Sequence, residues 1–258
     1  MIKTLFLSLM LSLLVSTGVH AKIQTQKVEY KSGDLTFEGF LAYDSAIKGK
    51  KPGVMIVHNW MGVTSETESK AIEVAKLGYV AFAGDIYGKG VRPTDAKGAG
   101  ELATKYKSDL KELRARALYA VEELKKQKNV DAKKIYVTGY CFGGTTAIEV
   151  ARSGADVAGV VSFHGGLTPS TDDKNIKGRV LVLHGAVDPY VAQKDIDGFL
   201  KGMNESKVDY QMISYANSVH SFTEKAAGLD NSKGAAYNEL ADKRSWIAMR
   251  EFFTELSK

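Results

Sequence analysis

Five short apolar runs, GVMIVH, YVAFAGDI, KIYVTGY, VAGVVSFHG and RVLVLHG, are spaced along the chain with amphipathic stretches between them. A strand wetted on one face alternates apolar and polar residues; these runs stay apolar, so both of their faces must be covered. Helical stretches over Thr64 to Leu77, Ser108 to Lys126, Thr145 to Ser153 and Val191 to Met203 lie between or after them. The alternation predicts an α/β fold, a mostly parallel central sheet with helices on both faces. Two segments depart from it. From QKVEY through LTFEGFLAYD the residues alternate, which predicts an N-terminal antiparallel hairpin turning at Ser32, Gly33 and Asp34. Near the other end VDYQMISY predicts a last strand, and Ala236 to Leu256 a helix whose Trp246, Met249, Phe252, Phe253 and Leu256 recur at helical spacing, as packing residues do. GKGVRPTDAKGAG is the one long flexible-looking insertion, and residues 87–100 are a candidate lid.

The first 21 of the 258 residues read as an address: Lys3 is a positive n-region, LFLSLMLSLLV an apolar h-region and VHA a small-residue cleavage site. Cleavage after Ala21 and export are expected, to the bacterial periplasm. The apolar run is short for a spanning helix of about 20 residues, and no later segment is long enough, so no stable membrane insertion is expected after cleavage. Residues 22–258 are within the range of one α/β domain. The net charge of +5, or +4 without Lys3, is scattered through KGKK, KKQK and AKK with no interleaved aromatics. That pattern describes a solvated surface, not a nucleic-acid face. A monomer, at most weakly dimerising, is expected.

The chain has one cysteine, Cys141, so no internal disulfide can form. A lone thiol in an exported protein is an intermolecular link, a reactive group or an inert core residue. Its setting narrows the choice. In open α/β sheets ligands gather at the carboxyl ends of the strands, which selects His58-Asn59-Trp60, Asp85, Cys141, His164, His184 with Asp188, and His220. KIYVTGYCFGGTTAIEVA is a strand, a tight turn and a helix centred on Gly139-x-Cys141-x-Gly143, the cysteine form of a nucleophile elbow. The helix N-terminus behind it favours a thiolate. Asp188 follows in the loop after RVLVLHG and His220 in the loop after the last strand, the chain order nucleophile, acid, histidine. The backbone N–H of Phe142, just after the nucleophile, is a candidate oxyanion donor.

GYCFGG, HGAVDPYV and HSFT, with MIVHNWMG and GYVAFAGDIYG, resemble the dienelactone hydrolase family of α/β hydrolases, in order and spacing over nearly all of residues 22–258. The resemblance implies an α/β-hydrolase fold, a Cys141-Asp188-His220 triad, a second oxyanion donor in the Trp60 N–H, and hydrolysis of a small-molecule carboxylic ester or lactone without a cofactor. It also marks departures. The family's glutamate after the first strand-end histidine is Asn59 here, and two arginines that grip the dienelactone carboxylate are replaced by Lys89 and Glu224. Asn59, Lys89 and Glu224 are therefore substrate-pocket candidates, and a neutral or cationic substrate is expected in place of dienelactone itself. Arg92 reads as a surface residue of a flexible loop.

His58, His164 and His184 lack the spacing of metal ligands, so no metal is expected; His58 and His184 are expected to satisfy backbone groups near the elbow. The alternative function is non-catalytic, an α/β-hydrolase homologue that binds a ligand or senses redox state through its thiol.

Overall fold

The computed structural model describes residues 21–258; the leader expected over residues 1–21 lies, but for Ala21, outside them. Eight strands form one sheet: β1 (Ile23–Ser32), β2 (Leu35–Asp44), β3 (Lys51–Val57), β4 (Val80–Gly84), β5 (Val130–Tyr140), β6 (Gly159–Phe163), β7 (Arg179–Gly185) and β8 (Tyr210–Tyr215). Their spatial order is β1-β2-β4-β3-β5-β6-β7-β8. β1 and β2 form the hairpin, in register from Ile23 opposite Asp44 to Ser32 opposite Leu35, with Gly33 at φ 56° in the turn. β2 joins β4 antiparallel, and every pairing from β4 through β8 is parallel.

The apolar runs do what their composition requires. Successive residues of a strand point to opposite faces, so Met55 and Val57 of β3 enter one core while Val54 and Ile56 enter the other. Leu113, Ala117 and Leu124 of α3 (Leu110–Lys126) and Ile148 of α4 (Phe142–Arg152) cover the first face. Ala71 and Val74 of α1 (Ser65–Lys76) and Met249 and Phe253 of α6 (Glu239–Ser257) cover the second. Phe253 stacks on Tyr136 of β5, ring centroids 5.1 Å apart, and meets Tyr79 edge-on.

Three segments differ from expectation. The insertion is a loop only in its first half: α2 (Ala96–Ser108) starts inside it, capped by Asp95, whose Oδ1 accepts the Gly98 N–H at 2.8 Å. Gly98 and Gly100 conceal this helix in the sequence, because glycine is a poor helix former. Asp109 then caps α3 through the Glu112 N–H, dividing what composition suggests is a loop followed by one helix. α4 begins at Phe142, three residues earlier than the expected Thr145, so Cys141 is its N-cap. The remaining helix, α5 (Gln193–Glu205), lies two residues beyond its expected place. Among the described residues no helix is long and apolar enough to cross a membrane.

Candidate active site

From β3 the chain moves outward to β4, and it then returns to place β5 on the other side of β3. The loops leaving β3 and β5 therefore diverge, and a crevice opens between adjacent carboxyl ends. One loop carries His58, Asn59 and Trp60; the other is Cys141. Cys141 has φ 57° and ψ −113°, a region that costs a non-glycine residue about 1–3 kcal/mol and persists only when its surroundings enforce it. Here its N–H is shared between the Phe163 carbonyl, 3.0 Å, and His164 Nδ1, 3.1 Å. The glycines on either side permit the turn by close approach. A Cβ at Gly139 would lie 2.2 Å from the Gly143 oxygen, and one at Gly143 would lie 2.3 Å from the Val57 oxygen, so α4 starts directly against the ends of β5 and β3.

The loops after β7 and β8 bring the other two groups to this apex. His220 Nε2 lies 3.0 Å from Cys141 Sγ, and His220 Nδ1 lies 2.8 Å from Asp188 Oδ2. Asp188 is held by the Tyr190 N–H, which its Oδ1 accepts at 2.9 Å. His220 is held by its backbone, which donates to the Gly234 carbonyl and accepts from the Ala236 N–H. The Asp188 side chain is fully buried and that of His220 is 14% exposed. Burial alone would lower the pKa of His220; the hydrogen bonds to Asp188 and Cys141, with the charges of both, outweigh it and push it up to about 10. The ring thus favours the imidazolium, with Nδ1–H donating to the carboxylate and Nε2–H to the sulfur. Tyr190 packs edge-on against it, centroids 5.3 Å apart.

The other strand-end histidines have separate tasks. His164 Nδ1 accepts from Cys141, so its neutral ring carries the proton on Nε2, which donates to Thr223 Oγ1 at 2.8 Å. Burial, then the charge of His220, holds its pKa well below the ordinary value. His58 Nε2 accepts the Ile86 N–H while Nδ1–H donates to the Asn59 carbonyl; burial keeps it neutral, at about 4. In a trans peptide the C=O and the next N–H point in opposite directions, so this bond to the Asn59 carbonyl also aims the Trp60 N–H. Neither the Trp60 nor the Phe142 amide donates to a protein acceptor among the described residues. His184 departs from expectation: among the described residues its buried Nδ1 has no protein partner and satisfies no backbone group.

Of the three pocket candidates, Asn59 and Glu224 come together and Lys89 does not. Asn59 Nδ2 donates to Glu224 Oε1 and to Glu66 Oε2, both at 3.3 Å, in a crevice also lined by Lys70, Tyr140 and Thr223. Burial, then the charge of Glu66, pushes Glu224 up to about 7. Lys89 instead pairs with Glu29 of β1, outside this crevice: its backbone N–H bonds to Thr36 of the hairpin, which carries the side chain that way. Arg92 is a brace and not a loose surface residue, donating to the carbonyls of Val63, Gly88 and Val91. Asp85 is structural too, fully buried and accepting the N–H groups of Glu38, Tyr87 and Gly88. Glu66, Thr223 and Tyr190 were not legible as site residues. Tyr190, two places after Asp188, and Thr223, at the end of HSFT beside Glu224, had nearby signals; Glu66 had none.

Among the described residues no three His, Cys, Asp or Glu side chains gather as metal ligands. The solved structure m3DLH is 38% identical, with a TM-score of 0.87, covering 91% of this chain and 98% of that one. The dienelactone hydrolase-like promiscuous phosphotriesterase P91, from metagenomic libraries, is 36% identical with a TM-score of 0.87, covering 92% and 99%. A protein of Aquifex aeolicus named "Putative carboxymethylenebutenolidase" is 26% identical over 88% of this chain and 97% of its own length. The family model for the dienelactone hydrolase family matches residues 37–257. The chain belongs to the dienelactone hydrolase family, ester- and lactone-cleaving enzymes of the α/β-hydrolase fold.

Proposed function

We propose that this hydrolase cleaves a carboxylic ester or lactone through a thioester on Cys141. The observation that carries the reading is the unbroken line from Cys141 Sγ to His220 at 3.0 Å and from His220 to Asp188 at 2.8 Å, at the apex of a strained elbow. The thiolate attacks the substrate carbonyl carbon, and the carbonyl π pair moves onto oxygen. That oxyanion is received by the Phe142 and Trp60 amides, where loss of one such donor typically costs about 3–4 kcal/mol of barrier. As the tetrahedral centre collapses, the C–O bond to the alkoxide breaks and His220 Nε2–H protonates the leaving oxygen. Neutral His220 then takes a proton from water. The hydroxide adds to the thioester, and the thiolate departs with the imidazolium restored.

The substrate reading rests on charge. Glu66 and Glu224 beside Asn59 make an acidic wall where an arginine would be needed to hold a carboxylate. We therefore infer a neutral or cationic ester or lactone. The leader-like residues around Lys3 and Ala21 support export to a bacterial periplasm. The test is a panel of p-nitrophenyl esters, thioesters, neutral, cationic and carboxylate-bearing lactones, and, because of the relative P91, a phosphotriester, against wild type, Cys141→Ser and Cys141→Ala. Ester or lactone turnover that falls at least 100-fold in Cys141→Ala supports the reading. Turnover that survives in Cys141→Ala overturns it. No turnover, with reversible sulfenate formation at Cys141, favours the redox alternative.

A further inference from the structure

We infer that Glu66 and Glu224 are positioning residues of the reaction: through the single amide of Asn59 they clamp the loop that presents the Trp60 N–H, although neither carboxylate touches the reacting atoms. The inference deepens the proposed function and rests on it.

Asn59 is the key to the geometry. Its Oδ1 accepts the Met61 backbone N–H at 2.9 Å. A backbone N–H can only donate, so this contact fixes which end of the amide is oxygen and turns Nδ2 the other way. Nδ2 has two protons, and the two carboxylates accept both, Glu66 from the first turn of α1 and Glu224 from the loop after His220. Asn59 is 6% exposed, and both its donors are used. A buried amide that loses an acceptor must turn or leave a donor unpaired, which costs about 1–3 kcal/mol.

What the clamp holds is the short path from β3 to α1. On one side His58 donates to the Asn59 carbonyl. On the other, Tyr87 Oη–H donates to the Trp60 carbonyl at 3.0 Å. These bonds fix the two peptide carbonyls flanking the Trp60 N–H. The Asn59 side chain is the third point, and the only one of the three that ties this loop both to α1 and to the loop of the catalytic histidine. Glu224 is four residues past His220, and its neighbour Thr223 accepts from His164, which in turn holds the Cys141 N–H. The same segment thus supports the elbow through Thr223 and the oxyanion loop through Glu224.

The clamp needs acceptors, not two full charges. Glu66, Lys70 and Glu73 from α1, Tyr140 at the end of β5, Asp242 from α6 and His220 share this neighbourhood. Lys70 is already paired with Glu73 and lies over the Tyr140 ring. The neutral amide of glutamine can accept the Asn59 proton as the carboxyl group does.

The experiment uses the mature chain, wild type first, with Cys141→Ala as the control that reads the proposed function. Glu224→Ala, Glu224→Gln, Asn59→Ala and Asn59→Ala/Glu224→Ala are then compared. Read on a neutral lactone, which the charge of the acidic wall does not attract or repel, Glu224→Ala is expected to lower kcat on the order of tenfold with little change in KM, short of the 10²–10³ for loss of an oxyanion donor outright. On a neutral lactone, Glu224→Gln recovers most of the kcat lost in Glu224→Ala, because its amide oxygen still accepts the Asn59 proton. The double variant is no slower than Asn59→Ala, because the bond that Glu224→Ala breaks is already absent without the Asn59 amide. Iodoacetamide labelling of Cys141 at the wild-type rate shows that each variant is folded with its Cys–His pair intact. Hydrogen exchange of the peptide over residues 58–62 is the readout that does not need turnover: it quickens in Glu224→Ala and Asn59→Ala but not in Glu224→Gln. Unchanged exchange overturns the clamp, as do multiplicative kcat losses in the double variant or a glutamine variant as slow as the alanine one. Failure of the proposed function is seen separately, as turnover indifferent to Cys141→Ala.

Discussion

A thiol becomes a nucleophile when a neighbour keeps its proton, and His220 is placed to keep it. With its pKa pushed up to about 10 by the hydrogen bonds and charges of Asp188 and Cys141, against burial, the ring stays protonated through neutral pH and aims Nε2–H at Cys141 Sγ, as the proposed ion pair requires. Labelling of Cys141 by iodoacetamide at pH 6 is therefore expected to run at least tenfold faster in wild type than in His220→Ala, measured by mass spectrometry of the Cys141 peptide. Equal rates would remove the ion pair from the account. The same elevation has a consequence for stability. His220 titrates near 6.5 when unfolded, so its pairing favours the folded state fully below that pH. The contribution declines as pH rises and is lost above about 10. Asp188→Asn should thus lower Tm more at pH 6 than at pH 10. At this scale the meeting of Cys141, Asp188 and His220 was legible from residue type and order at the strand ends. Contacts were not legible where a side chain has a choice of long-range partners. Lys89 turned to Glu29, and Glu66 reached Asn59, pairings set by which backbones meet and unmarked by local pattern.

Elements place these residues by contact between backbones. α4 starts so close to β3 that Gly143 leaves no room for a methyl group, whose carbon would sit 2.3 Å from the Val57 oxygen. Gly143→Ala must therefore push the elbow away from the loop of Trp60, and misplacement by about 1 Å can cost 100-fold. A kcat loss of that order, with the protein still folded by circular dichroism, is the expected outcome. Phe253 of α6 gives the opposite case. It is fully buried on the face covered by α1 and α6, against Tyr136 and Tyr79. Phe253→Ala should cost about 3–5 kcal/mol of unfolding free energy, while the kcat of the folded fraction stays within about twofold. Denaturant titration and active-site titration together check both halves. The apolar runs and the final helix were legible because burial on two faces leaves a compositional mark. α2 was hidden, because Gly98 and Gly100 argue for a loop and only the Asp95 cap with the buried Ala99, Ala103 and Tyr106 argues for a helix.

At the scale of the molecule, one sheet brings four loops to one edge: those after β3, β5, β7 and β8 supply Asn59 and Trp60, Cys141, Asp188 and His220. The chain order of these groups could be read early, but their distances could not, because those depend on how the whole sheet twists and on which strands are neighbours. The charge around the crevice is also a property of the assembly. Glu66 and Glu224 come from distant parts of the chain to one amide, and kcat/KM for a neutral or cationic lactone should exceed that for its carboxylate-bearing analogue by at least tenfold. A preference for the anion would contradict the substrate reading while leaving the triad untouched. The triad itself is tested most directly by trapping its intermediate. Wild-type protein mixed with p-nitrophenyl acetate and acid-quenched within the first turnover should carry one acetyl group on the peptide containing Cys141, and His220→Ala should carry none on that time scale. An acetyl group on another residue, or turnover of the ester with Cys141 unmodified throughout, would contradict the account.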